Sequence, residues 1–263
     1  MRIVYHERIE CKAMNSIIIY EKNFMTISDN ITADYHKHWL LQLFLTSQKE
    51  FNIDVNRQHV ICSSILVNLD TPHAFNNAGD TCFTMLIDPT TELGRRMMGV
   101  LMNQPFYLFS PEETKAMQSH LQNILIQNNK DAYLTFVQSL LVEFSYSNLE
   151  KMDERVIKVL DLLDECVHED ENHQLKYFAE TLNLSESRLA HLFKEVTGIP
   201  LKSYIVLHKL QKAYEMIGSG ESITTAALNA GFNSPSHLAY TNKMITGMSA
   251  TNILKDSEFL KAF

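Results

Sequence analysis

Cysteine is scarce in this 263-residue sequence, and it is scattered where it occurs. The four, Cys11, Cys62, Cys82 and Cys166, form no CxxC pair, which argues against a disulfide framework and leaves buried or inert thiols. Long apolar runs are lacking as well. None approaches the roughly 18 residues that span a bilayer, and the opening MRIVYHERIE has no apolar stretch of the kind a signal peptide carries. The expectation is a cytoplasmic protein with no membrane partner. Glycine is missing from the whole first quarter, the first being Gly79. Positive charge is in deficit, 23 Lys and Arg against 31 Asp and Glu for a net of −8, which taken as a whole speaks against a nucleic-acid partner. What is present, 45% hydrophobic and 21% charged residues, is the makeup of a globular chain, long enough for two domains with a core each.

The charge is unevenly spread. From Asn172 to Lys255 there are eight Lys or Arg against five Glu, +3, while the remaining residues hold 15 against 26, −11. The same stretch contains a repeat. LAHLFKEVTGI at Leu189 to Ile199 returns as LAYTNKMITGM at Leu238 to Met248, each copy preceded by a turn-like segment, NLSES at Asn183 to Ser187 and GFNSPS at Gly231 to Ser236. Before each turn lies a short segment of helical period carrying an alanine, Ala179 and Ala227. Helix, tight turn, second helix and glycine stop is the layout of a helix-turn-helix, whose second helix enters the major groove of DNA. Two in tandem suit a reader of two successive grooves. Lys202 to Ile217 would be the helix joining them, about 24 Å long at ~1.5 Å per residue.

Up to about Asp88 the pattern is of short strands: SIIIY from Ser16, FMTIS from Phe24, LLQLFLT from Leu40, SSILVNL from Ser63 and CFTMLI from Cys82. Many short strands with polar turns predict a barrel or sandwich. From Thr91 the period becomes helical. Ser110-Pro111-Glu112-Glu113 supplies an N-cap, a proline in the first turn and a capping-box Glu for a helix running to about Gln127. A second helix is expected from Asp131 to Tyr146, with Leu134, Val137, Leu140, Leu141 and Phe144 as a stripe for core packing, or alternatively a dimer seam. Polar SNLEKMDE from Ser147 is the linker candidate, and Val156, Val159, Leu160, Leu163 and Val167 mark the helix that opens the second domain.

From about Asp153 to Lys255 the residues resemble the double helix-turn-helix domain of AraC/XylS-type transcription regulators. Leu175, Phe178, Ala179, Leu184, Ser185, Leu189, Phe193, Lys194, Thr197, Gly198, Tyr204, Leu210 and Ala213 stand in that family's pattern. In the second unit Ser222, Ile223, Thr224, Ala227, Gly231, Phe232, Ser236, Leu238, Lys243 and Gly247 do so. Three positions depart from it: Asn242 stands where the family has a core Phe, Ala250, Asn252 and Ile253 replace a TPxxYR ending, and Lys209 replaces an Arg. A polar Asn242 in a core position would leave a hole or require hydrogen-bond partners. The resemblance implies DNA contacts at Ser187, Arg188, Ala190, His191 and Lys194 in the first unit and at Ser236, His237, Ala239, Tyr240 and Lys243 in the second. His191 and Arg188 have the length and donors to reach base edges.

In the first domain, His36-Lys37-His38, Gln42, His73 and Asn77 resemble the ligand spacing of the cupin barrel, a fold that also serves as effector domain in AraC-type regulators, generally without metal. The resemblance implies an apolar cavity holding a small effector, for which His36, His38, Trp39, Gln42 and His73 are the candidate contacts, with Phe44, Phe75 and Phe83 as further walls. A divalent metal on His36, His38, Gln42 and His73 is the lesser alternative to a structural or pocket-lining role, and no cofactor is expected.

These readings combine into an α+β protein: residues 1–148 a cupin-like β-barrel with a helical dimerisation segment, residues 153–257 an all-α domain with two helix-turn-helix units. The function expected is transcription regulation by a homodimer that binds double-stranded DNA under control of a small-molecule effector and, if an activator, contacts RNA polymerase. It would not be an enzyme. The competing expectations are a metal-dependent cupin enzyme with a helical appendage, and a protein-binding relative whose second DNA-reading unit has decayed.

Overall fold

A computed structural model describes residues 15–29, 31–77, 81–145, 149, 151–165, 175–249 and 257–260. Cys11, Cys166, Val167, Ala250, Asn252 and Ile253 lie outside the described residues. The strand-rich part opens with a hairpin: β1 (Asn15–Tyr20) pairs antiparallel with β2 (Asn23–Ser28) around Glu21-Lys22. Both turn residues have positive φ, 47° and 68°, and Asn56-Arg57 repeats the geometry at 48° and 64° between β5 (Phe51–Val55) and β6 (Gln58–Cys62). Two-residue turns of this hand match the right-handed twist of the strands they join. With no glycine there, each such residue costs on the order of 1 kcal/mol of backbone strain, offset by the strand pairing it allows.

The remaining strands are β3 (Thr32–His36), β4 (Leu41–Thr46), β7 (Ser64–Val67), β8 (His73–Asn76), β9 (Cys82–Ile87), β10 (Phe106–Leu108) and β11 (Ser257–Leu260). They form a seven-stranded sheet, β10-β7-β4-β9-β2-β1-β11, and a four-stranded one, β3-β8-β5-β6. The expected barrel is thus an open pair of packed sheets, since no described pairing joins one sheet's edge to the other's. Side-chain alternation sorts the core into layers. Leu41, Leu43 and Leu45 of β4, with Phe83, Met85 and Ile87 of β9, face three helices, α1 (Glu92–Leu101), α2 (Pro111–Gln127) and α3 (Lys130–Glu143). Phe44 of the same β4 faces Phe51, Ile53 and Phe75 of the small sheet. The helices start where their caps dictate: Ser110 and Glu113 complete a capping box, and Asn129 caps α3. Val137, Leu140 and Phe144 are buried against the large sheet, so most of the α3 stripe is core.

The all-helical part comprises α4 (Glu154–Glu165), α5 (Leu175–Thr181), α6 (Glu186–Thr197), α7 (Leu201–Gly218), α8 (Ile223–Asn229) and α9 (Pro235–Thr246). Helices α5 and α6 make the first helix-turn-helix, α8 and α9 the second, and α7 joins them. Ser185 caps α6 and Ser234 caps α9; each ends on a left-handed glycine, Gly198 (φ 79°) and Gly247 (φ 68°), whose N–H closes the last turn. A first core gathers Val156, Val159, Leu163, Phe178, Leu189 and Phe193, and a second gathers Leu210, Ala213, Ala227, Phe232 and Leu238.

Asn242 is 0% exposed in that second unit. Its Nδ2 donates to the Met248 carbonyl at 2.9 Å and its Oδ1 accepts from the Tyr214 hydroxyl at 2.6 Å. It is a satisfied core residue. Asn242→Leu would strand both partners and is expected to cost about 1–3 kcal/mol in urea unfolding. Tyr214→Phe added to it would restore part of that loss.

Candidate functional site

Both recognition helices present their leading faces outward. On α6, Ser187, Arg188, His191 and Lys194 are exposed and Ala190 is half-buried; on α9, Ser236, His237, Ala239, Tyr240 and Lys243 are exposed. The buried residues of the same helices, Leu189, Leu192 and Phe193 on α6 and Leu238 on α9, turn the opposite face inward. Every residue expected to meet DNA therefore lies on the free side of its helix, apart from the small Ala190. Lys243 already has a neighbour, Asp34 of β3, at 3.7 Å. The His237 ring stands edge-on to Phe232, 5.3 Å away, which steadies the start of α9. Lys209 donates to the Gly231 carbonyl at 2.9 Å, tying α7 to the turn of the second unit.

The helical part packs directly on the open face of the large sheet. The Tyr204 hydroxyl of α7 donates to Asp88 Oδ2 at 2.9 Å, and Thr90 donates to the other carboxylate oxygen through both its N–H and its hydroxyl. Burial raises the Asp88 pKa above the usual carboxylate range, although the Thr90 and Tyr204 hydrogen bonds pull the other way. Nearby, Lys22 pairs with Asp164 of α4 at 2.7 Å, and His208 of α7 lies 3.3 Å from the other Asp164 oxygen. Burial acts to raise the Asp164 pKa, but hydrogen bonds to His208 and Lys22 outweigh it and hold the carboxyl below its ordinary value.

Between the two parts lies a cavity of about 140 Å³. Ile17, Phe24, Ile27 and Phe44 contribute apolar wall from the sheet, Leu207 and Met248 from the helical side, and Lys22 and His208 polar groups. Of the residues expected to touch an effector, Gln42 and Phe44 line this cavity. Trp39 packs on the first helical core instead, Phe75 on the inter-sheet cluster and Phe83 against α3.

His36, His38 and His73 gather at the end of the small sheet. The three come from separate elements: His36 ends β3, His38 lies in the connection to β4, and His73 starts β8 opposite His36. Their rings nonetheless meet, with centroids 4.5 to 5.4 Å apart. The Nε2 atoms of His38 and His73 lie 3.0 and 2.9 Å from Gln42 Oε1. Burial, reinforced by the neighbouring imidazoles, lowers the His38 pKa to about 3 and that of His73 to about 4; burial also lowers His36. All three rings are neutral near pH 7.

The profile described as "Helix-turn-helix domain" matches residues 178–256. Residues 178–256 are an AraC-type helix-turn-helix domain. No curated protein sequence matches the chain. Among solved structures, ToxT from Vibrio cholerae has the same fold at 12% identity, covering 90% of this chain and 98% of that one with a TM-score of 0.59. An apo ToxT variant from the same organism gives 10% identity, 89% and 97% coverage and 0.60. ToxT bound to an unsaturated fatty acid gives 10%, 88% and 94%, and 0.52. Strand-rich domain, helical layer and AraC-type domain therefore follow one architecture across nearly the full length.

Sequence reasoning missed Lys22, Asp88, Asp164, Tyr204 and His208. Tyr204 and His208 carried a signal: both fall one turn apart on the buried stripe of α7 with Ile205, and a polar side chain in apolar phase marks a contact beyond the helix's own core. Tyr204→Phe removes the donor that binds the AraC-type domain to buried Asp88, and a loss of about 1–3 kcal/mol in denaturant unfolding is expected. Asp88→Asn, which can keep its amide oxygen for the Thr90 donors and offer its N–H to the Tyr204 hydroxyl oxygen, should lose less.

Proposed function

We propose that this protein is a sequence-specific DNA-binding transcription regulator, with residues 153–257 reading DNA and residues 1–148 sensing a small molecule and forming the dimer. The observation that carries this reading is the pair of intact helix-turn-helix units whose recognition-helix faces are exposed together. Arg188 and His191 read base edges in the first, His237 and Tyr240 serve the second, and Lys194 and Lys243 meet phosphates. The surplus of three positive charges from Asn172 to Lys255 is small, so a dimer with four units supplies the phosphate contacts that one chain lacks. The α2–α3 hairpin offers a dimer face, with Ile126 81% and Val142 74% exposed. Such a regulator acts in the cytoplasm beside the DNA, contacts RNA polymerase if it activates, and performs no catalysis.

The effector that fits the cavity is a small carboxylic acid with an apolar body. ToxT structures hold an unsaturated fatty acid in one case and a methylnaphthalenyl butenoic acid in another, and the cavity here pairs apolar walls with Lys22 and His208. Lys22 and His208 already share Asp164. An incoming carboxylate would replace Asp164 on Lys22, freeing α4 from the β1–β2 turn and shifting the balance between docked and released DNA-binding domains by its differential affinity.

Selection of duplexes from a random pool, followed by anisotropy titration at several salt concentrations, tests the DNA reading. A site with two contact segments about one helical turn apart is expected. Arg188→Ala or His191→Ala should cost about 1–3 kcal/mol on the preferred site, whereas Lys194→Ala should weaken all duplexes and lower the salt slope by about one. No enrichment with or without candidate acids would overturn it. For the effector, Lys22→Ala should weaken binding of an apolar carboxylic acid by about 10- to 100-fold in calorimetry, the range of a charged hydrogen bond.

A further inference from the structure

The histidine cluster contains a hydrogen-bond conflict that its own side chains cannot resolve. His73 Nδ1 faces the Thr71 carbonyl at 2.8 Å and must donate to it, so in the neutral ring Nε2 carries a lone pair. His36 Nδ1 faces the Asp34 carbonyl at 2.7 Å, which likewise leaves a lone pair on Nε2, a buried atom without a hydrogen-bond partner. His38 is the opposite tautomer: its Nδ1 accepts from the Leu40 N–H at 3.2 Å, so its Nε2 carries the proton and donates to Gln42 Oε1. Gln42 Oε1 then meets a donor from His38 and a lone pair from His73 at nearly the same distance. Turning the amide over satisfies His73 and sets N–H against N–H at His38. No orientation of Gln42 suits both.

An electrophile removes the conflict. One ring nitrogen of each histidine lies within 4.8 Å of those of the other two. Donors bound at ~2.1 Å to a zinc-sized ion stand roughly 3–3.5 Å apart, so small side-chain rotations close the set. Backbone carbonyls on the far nitrogens of His36 and His73 are the second-shell arrangement that orients imidazole ligands. We propose that His36 Nε2, His73 Nε2 and Gln42 Oε1 bind a divalent transition-metal ion of the zinc, cobalt and nickel class, with His38 as a positioning residue that holds Gln42 by donating to the same oxygen. Two imidazoles and one neutral amide select borderline ions over calcium or magnesium, and solvent completes the coordination. The ligand set is thus drawn from both sheets. It also adjoins the second DNA-reading unit: a Cβ on Gly247, the stop of α9, would come within 2.6 Å of His36 Nδ1, and the Asp34 N–H points to the Gly247 carbonyl at 3.4 Å. The site stands independently of any effector in the cavity, although Gln42 lines both.

The test is a titration of the full-length, tag-free, chelator-treated chain with Co(II), followed by its visible absorption, with Zn(II) as competitor. One equivalent with a ligand-field spectrum displaced by Zn(II) is expected. His36→Ala and His73→Ala should each abolish that spectrum, His38→Ala should weaken binding by about 10- to 100-fold as for lost second-shell partners, and His59→Ala, an exposed histidine paired with Asp54, should leave it unchanged. Gln42→Glu, which adds a carboxylate ligand, should tighten binding and enlarge the rise in Tm that metal produces, a gain that misfolding cannot imitate. Absence of one-to-one uptake in the micromolar range, or a spectrum indifferent to His36→Ala and His73→Ala, would overturn the proposal.

Discussion

Strand β4 is the element on which both halves of the first domain depend. It lies near the middle of the large sheet, between β7 and β9, and its two faces have different partners. Leu41, Leu43 and Leu45 hold the helical layer; Gln42 and Phe44 point between the sheets. A register slip of one residue would exchange those sets, sending the leucines toward the cavity and Gln42 into the helical core. The position of one polar side chain, shared by cavity and histidine cluster, thus follows from the apolar alternation on either side of it.

The second constraint is the seam between sheet and helices. Buried polar groups are tolerated there because they satisfy one another across it: Asp88 with Tyr204, Lys22 with Asp164 and His208. An interface built this way is poised, because a competing carboxylate offers Lys22 an equivalent partner at small net cost, whereas a purely apolar contact has no such exchange. In the regulation proposed above, that exchange would couple a ligand in the cavity to the placement of α6 and α9.

Much of this was legible in the sequence, for reasons that differ by region. The helical half was readable because caps, glycine stops and buried stripes recur at fixed spacing; Ser110, Ser185 and Gly247 sit where such signals put them. In the sheets, β1, β2, β4, β7 and β9 announced themselves by apolar runs. Strands β3, β5 and β6 did not: FNIDV alternates apolar and polar over only five residues, and TADYH and QHVIC are mostly polar on the exposed side. Asn242 looked like a defect because sequence shows the missing ring but not the Tyr214 hydroxyl that answers it. His36, His38 and His73 were set apart in the sequence by their resemblance to cupin spacing, while a strand end, a connection and a neighbouring strand bring them together.

The parallel pairing of β1 with β11 joins Asn15 to Ser257, positions at nearly opposite ends of the sequence. During synthesis the outer edge of β1 stays without its neighbour until residue 257 has left the ribosome, long after β2 and β9 could assemble beside it. An open edge of Ser-Ile-Ile-Ile is a template for pairing with another chain. The same contact closes a loop that spans almost the whole molecule, so its entropy is paid late and assembly of this strand pair is slow relative to the local helices. A nascent chain halted before that point would expose an adhesive sheet edge, and the interval before closure is when this protein is most vulnerable to aggregation.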